Sequence, residues 1–297
     1  MPRKGNERKM KEKIFNISTL LSSLLILILL IAIFYTLVSR SLPAFQEFGV
    51  FNFIFSSEWI SDPVSENYGA WSFICGTLLV SFLAILFSIP FTLSITLFVV
   101  GLHKHSFLSK YVNSFVELFA YTPAVIFAVW GHYSLRELFI SCNIGTFGYG
   151  ILSTAILLTI MVIPFASSMS IKCLSGLPRS IQERAYSLGA TKAETAGKIT
   201  LPYAAKGIIG SHLLALGKVF GEAIVVTTLI GNSIKVPSSL TDTGSSMSSI
   251  IVNQMGEHSS ELKFSVLMAI LLLLFILSAG TNYIGKYFIE KQRNRLK

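Results

Sequence analysis

Residues 183–202 read ERAYSLGATKAETAGKITLP. This polar stretch lies between long apolar runs, and it carries more organisation than a connector needs. Ser180-x-x-Glu183 and Thr191-x-x-Glu194 both fit the capping box, in which a hydroxyl and a carboxylate satisfy free amides at a helix start. Gly189 falls between the two matches and suits the left-handed conformation that ends a helix. Leu177, Ile181, Ala185 and Leu188 recur at helical spacing, which gives the first segment an apolar face. The expectation is helix, turn, helix. Such a helix suits either a lipid surface or a groove on a partner protein.

Outside this loop the chain is apolar. Of its 297 residues, 52% are hydrophobic and 13% charged, with a mean hydropathy of +0.66. Soluble domains carry about 25% charged residues. A helix crossing the hydrocarbon needs roughly 20 apolar residues, and six runs qualify: 14–38, 72–100, 111–135, 148–171, 205–230 and 264–287. They are too long and too uniformly apolar for barrel strands. The first exceeds a signal-peptide core and has no small-residue cleavage site after it, so it reads as a retained helix. The fold class is an all-α polytopic membrane protein with six transmembrane helices. Residues 1–13 form a basic cytoplasmic N-terminus, 14–38 the first transmembrane helix, and 72–290 the main transmembrane domain. That domain contains the polar loop 173–205, and no soluble domain is appended.

The formal net charge is +9, and its distribution argues against nucleic acid. With the N-terminus cytoplasmic, 19 Lys and Arg fall inside, four (Arg40, Arg136, Lys235, Lys263) fall outside, and Lys218 lies within a span. That is the positive-inside pattern, with both termini cytoplasmic in a multi-pass membrane protein. Cys75, Cys142 and Cys173 show no metal-ligand spacing and no disulfide framework. The histidines (His103, His105, His132, His212, His258) form no catalytic or metal-binding arrangement. There is no GxxxxGK[ST] phosphate loop. No cofactor, metal or catalytic residue is expected, so any ATP would be hydrolysed by another chain.

Two charges stand inside the fifth run, Lys218 and Glu222. A charge at the bilayer centre costs at least about 2.5–3.5 kcal/mol on insertion scales and marks a pathway or a pair. Four residues apart, they would share a helix face. Either they neutralise each other and stitch the bundle, or Lys218 lines an anion route while Glu222 holds it. Glu117 reads as an interfacial carboxylate, and His212 as a hydrogen-bonded residue of the bundle. Pro90, Pro123 and Pro164 would kink their spans. Gly217, Gly221 and Gly231 would permit close helix approach.

The loop resembles the EAA loop of ABC-type importer permeases, E-A-A-x3-G-x9-I-x-L-P. Glu183, Ala185, Gly189, Ile199, Leu201 and Pro202 keep that spacing, and Arg184 replaces the usual second-position alanine. Three further stretches resemble phosphate permeases: 68–77 (YGAWSFICGT), 117–131 (ELFAYTPAVIFAVWG) and 217–232 (GKVFGEAIVVTTLIGN). The chain is thus similar to PstC-type subunits of the phosphate ABC importer, which are binding-protein-dependent inner-membrane components with an EAA loop. The resemblance implies the MetI-like type I importer permease fold and an EAA loop that couples to the ATPase. It also implies a second permease (PstA-type), an ATPase dimer (PstB-type) and an external phosphate-binding protein (PstS-type). Such permeases usually carry arginine where this chain has Lys218; arginine grips oxyanions bidentately, whereas lysine acts as a point charge. An importer for another oxyanion (sulfate, molybdate, phosphonate) is the neighbouring reading. A secondary carrier or a non-transporting phosphate-signalling subunit is the reading of another class.

Overall fold

The computed structural model describes residues 3–62, 65–102, 106–257 and 260–294. His103, His105 and His258 lie outside that set. The chain opens with α1 (Arg3–Phe48) and α2 (Val50–Phe55), followed by a two-strand antiparallel hairpin, β1 (Trp59–Ile60) and β2 (Asn67–Tyr68). Helix α3 (Trp71–Thr96) ends in a π-helical turn, Leu97–Leu102. Then come α4 (Phe107–Ala120), α5 (Ala124–Trp130), a second π-turn (Gly131–Leu135), α6 (Arg136–Ser141) and α7 (Ile151–Ser175). The polar loop holds α8 (Arg179–Ser187) and α9 (Lys192–Glu194), which continues through a third π-turn (Thr195–Thr200) into α10 (Leu201–Phe220). Helices α11 (Ile224–Leu229), α12 (Met247–Gln254) and α13 (Glu261–Asn294) complete the chain.

Five helices are each long and apolar enough to cross a membrane: Met10–Phe48, Trp71–Gly101, Ile151–Ser175, Lys192–Phe220 and Glu261–Asn294. The sixth crossing is broken. α4 and the α5–α6 segment meet at 92° instead of forming one helix over 111–135. Pro123 is the cause: it lacks an amide proton and biases Thr122 away from helical backbone. The bent pair still traverses the bundle. Val116 packs with Ile171 and Leu174 near the C-terminal end of α7, while Phe139 packs in the cluster that holds Ile151 at its start. Pro90 and Pro164, by contrast, stay inside α3 and α7.

Two other features depart from the bare runs. The segment between the first two runs is mostly structured, because α1 runs ten residues past Val38 and through Pro43. Ala44, Phe53, Tyr68 and Phe73 form a buried outer cluster with Phe220, Met247 and Ile270. Trp59 packs edge-on against Tyr68 (4.9 Å) and Phe73 (4.8 Å), which holds the hairpin over the start of α3. The fifth run also breaks: α10 stops at Phe220, Gly221 caps it, and the helix resumes at Ile224.

Lipid is as apolar as a leucine side chain, so helix association here rests on close packing and hydrogen bonds. α10 and α13 cross at two glycines. A Cβ on Gly210 would sit 2.7 Å from the Gly285 carbonyl oxygen, and one on Gly285 would sit 3.0 Å from that of Gly210. Ser278 Oγ donates to Gly217 O (3.0 Å) and Gln292 Nε2 to Tyr203 O (2.8 Å) along the same seam. Gly217 is likewise a packing position, since an added Cβ would run into the Asn282 side chain. Thr159 Oγ1 donates to Ala84 O (3.2 Å) and ties α7 to α3. The Met247 amide donates to Thr77 Oγ1 (2.8 Å) and anchors α12 on α3.

Candidate functional site

Two places carry the expected functional residues: the polar loop and the C-terminal end of α10. In the loop, α8 begins after Pro178 with no side-chain cap. Ser180 is already the second helical residue, so its expected capping box does not form. Proline at that point starts the helix by fixing its own φ. The second box does form. Glu194 N donates to Thr191 Oγ1 (3.2 Å), and Thr191 N donates to Glu194 Oε2 (3.1 Å). The Thr191 amide and the Thr191 hydroxyl (2.9 Å) both donate to the Glu194 carboxylate and, with Lys198 nearby, hold it below its ordinary value. Gly189 adopts φ +85° and separates α8 from α9.

The loop has an inner and an outer side. Ala185 is buried, as is Ala196 on the π-turn, and a Cβ on Gly101 at the end of α3 would lie 3.3 Å from the Ala196 Cβ. This face fastens the loop to α3 and α10. Glu183, Arg184, Ser187 and Leu188 line the opposite face with Ser180, around a shallow hollow of about 540 Å³. Leu188 is 89% exposed, so it does not join the apolar face that its spacing suggested. Of the other loop residues, Ile199 and Leu201 are half-buried at the base of α10 and Pro202 is exposed beside them.

At the other end of α10 the structure separates the two charges. Because α10 ends at Phe220, Glu222 is not on its helix. Among the described residues no ion pair joins Glu222 to Lys218. Glu222 instead accepts weakly from the Val225 amide (3.4 Å), and its carbonyl accepts from Ser248 Oγ (3.0 Å). Glu222 therefore secures the break between α10, α11 and α12. The Lys218 side chain is exposed and places its Nζ 4.7 Å from the centroid of the Phe165 ring. Phe165 is the fifteenth of the 25 residues of α7, so the ammonium stands near mid-depth. Nothing in the sequence marked Phe165 or Ser248, since both meet their partners through helix packing. His212 is buried and its Nδ1 lies 2.9 Å from Ile208 O, a bond within the bundle as expected. Glu117 is exposed and accepts from Asn113 Nδ2 (3.2 Å). The three cysteines are free thiols.

Five helices long and apolar enough to cross a membrane, one bent pair that would make a sixth crossing, and a structured polar loop make this a polytopic membrane protein. The chain belongs to the family of binding-protein-dependent transport system inner membrane components, whose profile matches residues 97–293. It is 32% identical to the phosphate transport system permease protein PstC of Pasteurella multocida, over 96% of this chain and 94% of that protein. The PstC of Haemophilus influenzae is also 32% identical, over 95% and 94% respectively. The probable PstC of Methanocaldococcus jannaschii is 30% identical over 97% and 96%. Among solved structures, the MetNI methionine ABC transporter in an inward-facing conformation superposes with a TM-score of 0.56 at 19% identity, over 75% of this chain and 94% of the matched one. The fold is thus the MetI-like all-α permease fold. Its relatives are permease subunits of ABC transporters, which are non-catalytic, with the ATPase on a separate subunit.

Proposed function

We propose that this chain forms half of the membrane path of an ATP-driven importer for inorganic phosphate. The carrying observation is its likeness to PstC permeases along almost its whole length. Lys218 supports an anionic substrate, because its side chain is exposed and, among the described residues, no carboxylate pairs with it within 4 Å. A point charge draws a phosphate without gripping it bidentately, and conduction needs a site weak enough to release.

The second half of the path is a PstA-type permease, the motor a pair of PstB-type ATPases, and the donor a PstS-type binding protein. Helix α8 docks into a cleft of the ATPase through Glu183, Arg184 and Leu188. A leucine left in water on a polar loop is the side chain such a cleft would bury. Closure of the ATPase pair on ATP pushes α8. The buried Ala185 and Ala196 pass that push to α3 and α10, with Gly189 setting the angle and Ile199, Leu201 and Pro202 forming the base. The α8 side is cytoplasmic, in keeping with the basic residues gathered there, and both termini share it.

Proteoliposomes carrying the complete importer, with binding protein outside and ATP inside with the ATPase, test the substrate. Labelled phosphate should accumulate, and a hundredfold excess of sulfate or molybdate should leave uptake intact. Competition by sulfate or molybdate as strong as that by unlabelled phosphate would move the reading to the other oxyanions.

A further inference from the structure

Lys218 raises a physical problem that its expected partner does not solve. A cation in the bilayer is costly unless something compensates it. Glu222 lies beyond the end of the helix and, among the described residues, makes no ion pair with it within 4 Å, so it acts on the ammonium only through space. What lies beside the ammonium is the ring of Phe165, 4.7 Å from Nζ to the centroid. An aromatic face attracts a cation through its quadrupole at separations up to about 6 Å. Pro164 immediately precedes Phe165 and is fully packed inside α7, and Phe165 itself packs half-buried against the main core. The ring is thus fixed by the bundle, whereas the lysine is held only by its flexible stem.

We propose that Phe165 is the positioning residue for Lys218 in the anion path. The inference rests on the reading that Lys218 meets the substrate. A carboxylate partner would cancel the lysine's charge and compete with every incoming anion. A ring holds the ammonium in place without neutralising it. Because cation–π attraction is weaker than a desolvated ion pair, a passing oxyanion draws the ammonium off the ring, and the ring takes it back after release. Phe165 acts through Lys218 and needs no contact with the anion.

The test reads the lysine itself. Reductive ¹³C-methylation of the reconstituted importer keeps the charge and labels Lys218, whose signal is the one lost in Lys218→Arg. Methyls above a ring face resonate upfield. We expect an upfield Lys218 signal in the unsubstituted protein that Phe165→Leu moves toward the ordinary lysine position and Phe165→Tyr retains. Millimolar inorganic phosphate should move the unsubstituted signal the same way, with chloride having no such effect. Phosphate uptake per ATPase complex should fall roughly three- to thirtyfold in Phe165→Leu, the span of cation–π strengths, and recover in Phe165→Tyr and Phe165→Trp. Should Phe165→Leu fail to assemble, the upfield position and its phosphate response in unsubstituted protein and in Phe165→Tyr decide the matter. Loss of uptake in Lys218→Ala together with an unchanged signal and unchanged uptake in Phe165→Leu overturns the role of Phe165. Normal uptake in Lys218→Ala instead overturns the reading beneath it.

Discussion

Replacing Gly189 by valine separates backbone strain from crowding. Gly189 sits at φ +85°, and a Cβ built there meets nothing within 4 Å. A clash with the rest of the protein therefore contributes nothing, and the conformational cost remains. Left-handed backbone costs an ordinary L-residue about 1–2 kcal/mol, and a β-branched side chain makes it a genuine outlier. At about 1.4 kcal/mol per tenfold, the turn between α8 and α9 becomes roughly five- to thirtyfold less favoured against its alternatives. Alanine takes the lower end of that range, and asparagine, which visits this region routinely, takes little. The assay is phosphate delivered per ATP hydrolysed, in proteoliposomes with the whole importer. Coupling should fall in the order Gly, Asn, Ala, Val, with ATP hydrolysis persisting in Gly189→Val. A valine variant of normal abundance that delivers phosphate at the unsubstituted ratio would refute the idea that the turn angle transmits force.

Three further outcomes follow from the same geometry. Lys218→Ala should abolish phosphate uptake while the complex still assembles at normal membrane abundance, checked by uptake and by co-purification of the partner subunits. Gly210→Leu should cost at least about 1–3 kcal/mol, the usual range for overpacking, because the first added carbon already meets the Gly285 carbonyl at 2.7 Å; a lowered unfolding midpoint in detergent reads this out. The cap at α9 should be pH-sensitive. A carboxyl held below its ordinary value of 4.5 stabilises the fold above that value and loses its contribution as the pH falls through the lower, folded value. Amide exchange across 191–197, corrected for the intrinsic pH dependence, should therefore lose protection only on acidification below about 4.5, and Thr191→Ala should abolish that dependence.

What could be read from the sequence was what local chemistry settles. Six apolar runs announce six crossings because the hydrocarbon demands that length of helix whatever surrounds it. The Thr191–Glu194 cap and the left-handed Gly189 were legible because each involves only a few adjacent residues. Ser180 misled for the same reason: the motif was present, but Pro178 two residues earlier had already started the helix. Pro123 was visible as a kink, yet the 92° bend depends on what α5 and α6 find to pack against. The Lys218–Glu222 relation was the largest departure. Four residues apart implies one face only if the helix continues, and α10 stops at Phe220 because Gly221 and the Ser248–Glu222 bond fix a break there. Phe165 could not be inferred at all, since 53 residues separate it from Lys218 and only the packing of α7 on α10 unites them. Gly210 and Gly285 were hidden likewise.

The central claim is that force from an ATPase enters the bundle through α8, and the exposed Leu188 offers the most direct access to it. A Leu188→Cys variant, with Cys75, Cys142 and Cys173 replaced by serine or alanine, can be treated in native membranes with a short thiol–amine cross-linker. The account predicts one cross-linked product containing the ATPase subunit, its yield changing when ATP is replaced by ADP. A cysteine there that labels freely with a soluble maleimide yet never joins the ATPase, in membranes that still accumulate phosphate on ATP, would contradict it.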